Sequence, residues 1–86
     1  MNVGGTFVCV EKYVLTSVEE SLLEYMFSGR TEMPKKDGRV TVYRNAKIFM
    51  LMINYLRDEM LWLPVFDNME DEQDFFNELR YWKIDP

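Results

Sequence analysis

Histidine is absent from the 86 residues, and cysteine occurs once, as Cys9. Without histidine the chain cannot form a catalytic triad with an imidazole base, and it lacks the most common zinc ligand. A single cysteine excludes an internal disulfide and favours a reducing compartment, so we expect a cytoplasmic location, with the nucleus as the alternative. Because Cys9 lies in an alternating apolar run, it is predicted to be a small buried hydrophobe rather than a nucleophile.

Long apolar runs and clusters of basic residues are also missing. The opening MNVGG has neither the charged nor the apolar region of a signal peptide. The apolar stretch 48–53 is followed by Asn54 and Arg57, so no membrane span and no direct membrane contact are expected. The net charge is −5 and the basic residues are scattered, which argues against nucleic acid as a partner.

Acidic residues are abundant, but their spacing does not indicate a site. Residues 67–74 hold five acids in eight positions without the spacing of a calcium loop, so no metal is expected there. Acids at the start of a helix are stabilised by its dipole, and a helix is predicted to follow. The carboxylates at 19–20 and 70–74 are expected to be solvated. The sequence therefore predicts no enzyme, no cofactor and no metal site.

Large apolar side chains are what the chain has in excess. Its residues are 48% hydrophobic and 15% aromatic, whereas a chain this short buries only about 60–65% of the surface that it exposes when unfolded. The excess indicates burial against another copy or another protein. The alternative is a dense core in which the seven methionines fill gaps. No linker or repeat divides the chain, so one domain over 1–86 is predicted.

A helix over residues 47–57 is predicted as the centre of this domain. Its apolar residues form two neighbouring stripes at helical spacing, one with Ile48, Met52, Tyr55 and Leu56 and the other with Phe49, Ile53, Leu56 and Met60. An apolar arc of this width predicts a helix that is covered on at least two sides.

Shorter elements are predicted around the central helix. Gly4 and Gly5 predict a tight hairpin turn, since a phosphate-binding loop would need a third glycine and a following lysine. Strands are predicted over 6–10 and 39–43. A helix is predicted to begin at Thr16 or Ser17, where Ser17 and Glu20 have capping-box spacing, and to end at residues 28–29.

The remaining segments are predicted from their turn signals and periodicity. Residues 30–38 are predicted to form a polar loop, either solvated or in contact with a partner. A last helix should turn Phe75, Leu79 and Trp82 inwards. The apolar residues 61–64 form either a lid on the core or an exposed docking patch, and we favour the lid.

With these segments placed, the chain resembles a BTB/POZ domain of the potassium-channel tetramerisation (KCTD-like) type. The resemblance covers nearly the whole chain, and its motifs lie at residues 2–6 (NVGGT), 15–16 with 21–23 and 26–29 (LT, SLL, MFSG), 37–38 (DG), 54–57 with 61–64 (NYLR, LWLP) and 78–84 (ELRYWKI). It starts within the family's first strand, so the domain is expected to be truncated there.

The chain departs from the family pattern at three points. Where the family has Asp-Arg-Asp-Gly, this chain has Tyr43-Arg44-Asn45-Ala46, so Arg44 could bond the Asn45 amide or a backbone carbonyl of a neighbouring subunit. Glu59 stands where the family often has glycine, which predicts a longer central helix. The intersubunit zinc site of many channel members is excluded by the lack of histidine.

The resemblance implies an α+β fold, with a small mixed sheet and helices packed on it. It implies self-association into a ring of four or five copies, in which one flank of each copy meets the opposite flank of the next. The subunit contact that it implies involves Asn2, Gly4, Gly5, Thr6, Arg44 and Asn45. It further implies the scaffold-binding part of a cullin-3 ubiquitin-ligase substrate adaptor. The alternatives are the cytoplasmic tetramerisation domain of a voltage-gated potassium channel and the multimerising domain of a transcriptional co-regulator.

Overall fold

The computed structural model describes residues 1–29, 32–36 and 38–85. Its elements in chain order are β1 (Asn2–Val3), β2 (Thr6–Phe7), α1 (Lys12–Leu15), α2 (Leu22–Phe27), β3 (Lys35–Lys36), β4 (Arg39–Val42), α3 (Ala46–Arg57) and α4 (Met69–Tyr81). The strands form one sheet in the order β2-β1-β4-β3. Strands β1 and β4 are parallel, and the other two pairs are antiparallel. The α+β class with a small mixed sheet is therefore confirmed.

The predicted hairpin at the start of the chain is confirmed. Gly4 and Gly5 have φ of +55° and +94°, the left-handed values that a two-residue type I′ turn requires. The Gly5 amide donates to the Asn2 side-chain oxygen at 2.8 Å. The second strand is shorter than the predicted 6–10 and ends at Phe7.

The first helical region differs from the prediction. Helix α1 was not predicted, and α2 begins at Leu22 rather than at residue 16 or 17. The side chain that caps α2 is Ser21, which accepts a hydrogen bond from the Glu24 amide at 3.0 Å. The sequence holds two serine–glutamate pairs with capping-box spacing, and the first belongs to a turn, in which Glu20 has φ of +65°. The predicted end of α2 at residues 28–29 is confirmed.

Helix α3 has the predicted central position. Asn45 caps its start by accepting a hydrogen bond from the Ile48 amide at 3.1 Å. The residues of both stripes that lie inside the helix are buried: Ile48, Phe49, Met52, Ile53, Tyr55 and Leu56. At its far end, Arg57 bonds the Glu11 carboxylate at 2.7 Å and so ties α3 to the start of α1. This guanidinium lowers the pKa of Glu11.

The prediction that Glu59 extends α3 is wrong. The helix ends at Arg57, and Glu59 and Met60 both have left-handed φ, +57° and +61°. The Met60 amide donates to the Tyr55 carbonyl at 2.9 Å and the Glu59 amide to the Leu56 carbonyl at 3.0 Å. These two bonds form a Schellman motif, which closes a helix on a residue in the left-handed conformation. Glu59 therefore takes the conformation that glycine favours at this position.

Helix α4 packs along α3 and completes the core. The predicted inward residues Phe75, Leu79 and Trp82 are all buried. The rings of Tyr55 and Phe75 meet edge to face with their centroids 5.4 Å apart, and those of Phe49 and Trp82 do so at 5.9 Å. Buried contacts of this kind fix the two helices against each other.

The acidic segment starts α4, as predicted. Asn68 caps the helix by accepting a hydrogen bond from the Asp71 amide at 2.8 Å. One of the acids is not solvated as expected, because the Asp71 carboxylate is 15% exposed and lies 2.7 Å from the Lys47 ammonium. This carboxylate raises the pKa of Lys47, with a smaller contribution from Asp67. The pair joins the starts of α3 and α4.

Three predictions about individual segments are wrong. Cys9 is exposed, because the alternation of residues 8–10 turns its neighbours Val8 and Val10 inwards instead. Residues 61–63 do not form a lid, since each is more than half exposed. The predicted loop 30–38 contains β3, whose partner is β4. Of that loop, Arg30, Thr31 and Asp37 lie outside the described residues, and so does the start of the motif at 37–38.

Within the described part of the chain, no helix has the length and apolar character needed to cross a membrane.

A charge placed on the buried side of α3 should unfold the domain. Ile53 is fully buried, so Ile53→Asp should cost about 4 kcal/mol, most of the stability of a small domain. Asn54→Asp adds the same charge on the exposed side and should melt like the wild type. Circular dichroism melting of the two variants checks this. A folded Ile53→Asp protein would contradict the central position of α3.

Candidate functional site

Five of the six predicted contact residues line one concavity of about 770 Å³. They are Asn2, Gly4, Gly5, Arg44 and Asn45, and the other lining residues are Thr41, Tyr43, Ile48, Asp74, Asn77 and Glu78. The sixth, Thr6, is exposed on the neighbouring arm of the hairpin and does not line the concavity. The fold thus brings the predicted residues near the start of the sequence together with Arg44 and Asn45, although the two segments lie about 40 residues apart in the sequence. That another copy binds here remains a prediction.

The hairpin reaches this concavity because its turn lies directly against the end of β4. The Gly4 amide donates to the Val42 carbonyl at 2.8 Å, continuing the parallel pairing of β1 and β4. A Cβ atom at Gly4 would overlap the Arg44 carbonyl oxygen, whereas one at Gly5 would meet nothing within 4 Å. Gly4 is therefore required for close approach of two backbones as well as for its φ.

Arg44 forms one wall of the concavity through an ion pair with Glu78. Its Nη2 lies 2.7 Å from Glu78 Oε1, and its Nε lies 3.2 and 3.3 Å from the two carboxylate oxygens. The guanidinium carbon lies 3.9 Å from the centroid of the Tyr81 ring. The Glu78 carboxylate raises the pKa of Arg44, against the opposing effect of burial. Arg44 is thus bound within its own chain rather than to the Asn45 amide, whose oxygen caps α3.

Glu78 is the residue of this site that the sequence analysis missed. It is 3% exposed, and its Oε2 also accepts a hydrogen bond from the Trp82 indole N–H at 2.9 Å. A carboxylate this deeply buried needs such partners. The signal was present in the sequence, because Glu78 lies four residues before Trp82 and three after Phe75, on the apolar side of the helix.

The concavity offers hydrogen-bonding groups and one large exposed ring rather than reactive chemistry. Its two most buried charges are already paired with each other, and Tyr43 at its margin is 78% exposed. Among the described residues, no group of three or more histidine, cysteine, aspartate or glutamate side chains could hold a metal ion. A surface of amides, hydroxyls and backbone groups with an aromatic margin is suited to contact with another protein.

The two glycines of the turn should differ in their tolerance of a side chain. Gly5→Ala places a non-glycine residue at left-handed φ in open space and should cost about 1 kcal/mol. Gly4→Ala adds a collision with backbone to the same strain and should cost about 3 kcal/mol or more. Urea unfolding of both variants measures the difference. Equal losses would show that Gly4 does not approach the Arg44 carbonyl as closely as described.

Removing the negative charge of Glu78 should destabilise the fold. Glu78→Gln leaves Arg44 without its counter-ion while keeping an oxygen for Trp82, and we expect a loss of about 3 kcal/mol. Asp74→Asn, an exposed acid on the same helix and in the same concavity, is the matched control and should change little. Unfolding in urea, followed by tryptophan fluorescence, measures the stability of both variants. A Glu78→Gln protein as stable as the control would exclude a stabilising pair.

Comparison with known proteins identifies a domain family and several relatives that the chain resembles. The BTB/POZ domain family matches residues 1–86. The chain is 34% identical over 85 residues to the human "BTB/POZ domain-containing adapter for CUL3-mediated RhoA degradation protein 2", covering 98% of this chain and 26% of that protein. The chicken (Gallus gallus) protein of that name gives the same values. The mouse "BTB/POZ domain-containing protein KCTD21" is 39% identical over 67 residues, 74% of this chain and 25% of that protein. The chain spans about a quarter of the length of these relatives.

Proposed function

The chain belongs to the BTB/POZ domain family, and from this we propose that it is a self-associating interaction module that binds cullin-3 as part of a ubiquitin-ligase adaptor. The observation that carries the proposal is the match of 98% of the chain to relatives named as adapters for CUL3-mediated RhoA degradation. The matched part is the BTB/POZ domain, about a quarter of those proteins. Scaffold binding is therefore proposed for this domain. The RhoA named for those relatives is not proposed as a target of this chain.

Self-association is supported by the amount of apolar surface that the chain leaves exposed. Ten large hydrophobic residues among those described are more than 40% exposed, including Trp62 at 71% and Val65 at 93%. Four of the ten lie within residues 61–65, and a contiguous exposed apolar segment is a mark of an interaction surface. We propose a closed ring of four or five copies, with the concavity at Asn2, Gly4, Gly5, Arg44 and Asn45, and the adjacent Thr6, forming part of the contact between copies.

The proposed role is binding rather than catalysis, and the proposed location is the cytoplasm or the nucleus. The relatives that are named as adapters support a binding role. The single cysteine in 86 residues supports the proposed location, because small domains of oxidising compartments are commonly dense in disulfides.

Native mass spectrometry at micromolar concentration tests self-association. We expect a main species at four or five times the protomer mass of 10.4 kDa, since a heterologous contact forms a ring when the rotation per copy divides the circle. Light scattering in solution should give the same mass. A single species at the protomer mass by both methods would refute the proposed assembly.

The same instrument tests the scaffold partner. Adding the N-terminal region of cullin-3 should shift the assembly by whole multiples of the mass of that region, and the corresponding region of another cullin serves as the control. An assembled ring that binds neither would leave self-association standing and remove the proposed ligase role.

A further inference from the structure

Between α3 and α4 the chain exposes a continuous apolar segment, residues 61–65, called here the strap. Leu61 is 68% exposed, Trp62 71%, Leu63 58% and Val65 93%. Burying a tryptophan and three aliphatic side chains is strongly favourable in water. The strap therefore has the composition of the central part of a protein–protein contact.

Both ends of the strap are fixed to the body of the domain. At its start, the Leu61 amide donates to the Asp58 carbonyl at 3.1 Å, directly after the Schellman motif that ends α3. At its end, the Phe66 ring packs edge to face on Phe75 with the centroids 5.3 Å apart. A segment held at both ends loses little conformational entropy on binding, so its apolar surface contributes more of its burial energy to affinity.

A separate part of the surface holds an apolar groove of about 800 Å³. Its apolar lining comes from the first residue of the sequence, the segment after β2, α1, α2, β4 and the segment before β3. These residues are Met1, Val10, Leu15, Met26, Phe27, Met33 and Val40. Methionine side chains adapt their shape to an inserted ring. The volume lies within the range of clefts that enclose organic ligands, and it can accept an indole ring with a neighbouring leucine.

The charges around these two surfaces are complementary. Two exposed acids, Asp58 and Glu59, lie at the start of the strap. Asp67 lies beyond its end, with its carboxylate 3.5 Å from the Lys47 ammonium. Three exposed basic residues, Lys12, Lys35 and Arg39, line the groove, together with one acid, Glu32. Opposite charges at the margins of a contact orient the partners and suppress wrong pairings.

The strap does not fill the groove of its own chain. Among the described residues that line the groove, none belongs to 61–65. The groove is therefore open to the strap of a second copy, and the acids beside the strap match the basic residues at the groove.

We propose that the strap of one copy docks into the groove of a second copy, with Trp62 as the central anchor. The proposal rests on the proposed self-association and assigns the two flanks that meet. Because strap and groove are different surfaces of one chain, each added copy still presents one of each, and the series ends when a ring closes. The polar concavity at Arg44 then contributes hydrogen bonds rather than the apolar centre of the contact.

Two sets of substitutions test the contact. The strap variant, Trp62→Ser, removes the anchor from an exposed position and should weaken association at least about tenfold. The groove variant, Lys12→Glu with Lys35→Glu, places acids opposite acids and should also weaken it about tenfold. Met69→Ser, an exposed apolar residue outside both surfaces, should associate like the wild type. Sedimentation velocity across a concentration series measures association, and circular dichroism verifies folding.

Charge restoration makes the test specific. The double substitution Asp58→Lys with Glu59→Lys should weaken association when it is made by itself. Combined in one chain with Lys12→Glu and Lys35→Glu, it should restore most of the lost association. Mixing the strap variant with the groove variant leaves one intact strap and one intact groove, so a 1:1 complex should form and nothing larger.

The failure of this proposal can be distinguished from failure of the proposed function. If the wild type assembles and the strap variant assembles equally well, the strap–groove contact is wrong and self-association stands. If the wild type remains a monomer, both are wrong. If the strap variant loses only cullin-3 binding, the occupant is the scaffold, and the second-copy proposal is overturned.

Discussion

The burial of α3 on two sides is the constraint from which the rest of the fold follows. Six of its twelve residues are buried, so no single layer could cover the helix. Strands β1 and β4 contribute Val3 and Val42 to the core, and α1 contributes Val14 and Leu15. Helix α4 supplies Phe75 and Leu79, and the residue that caps its end, Trp82, completes the aromatic contacts. The strands and α1 are short, and burial of Val3 in the core helps the two-residue strand β1 to persist.

The features that the sequence predicted correctly are those in which local pattern and burial agree. The stripes of α3, the paired glycines of the hairpin and the acidic start of α4 each have one structural solution at their position. Where two solutions competed, the sequence did not decide. Ser17 and Ser21 both have capping-box spacing, and only the packing of α1 and α2 selects Ser21. Glu59 is a good helix former in isolation, but the Schellman motif at the end of α3 places it in the left-handed region.

The candidate site was predictable in its backbone and only partly in its side chains. The motif at residues 2–6 and the segment 43–46 pointed to one contact surface, and the parallel pairing of β1 with β4 places them together. The pairing of Arg44 with Glu78 depends on α4, 34 residues away, and no local pattern encodes a contact over that separation. An acid on an apolar helix face is the one sequence sign of such a pair, since a buried carboxylate persists only with donors beside it.

The two tryptophans show how the chain divides its apolar residues between its core and its surface. Trp82 is 1% exposed, and its indole N–H is satisfied by Glu78, four residues earlier on α4. Trp62 lies on the strap, which follows the left-handed pair Glu59 and Met60 at the end of α3, and it is 71% exposed. A chain of 86 residues buries only about 60–65% of the surface that it exposes when unfolded, and in this fold the Trp62 ring stays outside the core. In the proposed contact between copies, the exposed Trp62 ring supplies the central apolar anchor. Such a ring makes association depend on a defined partner surface rather than on general hydrophobicity.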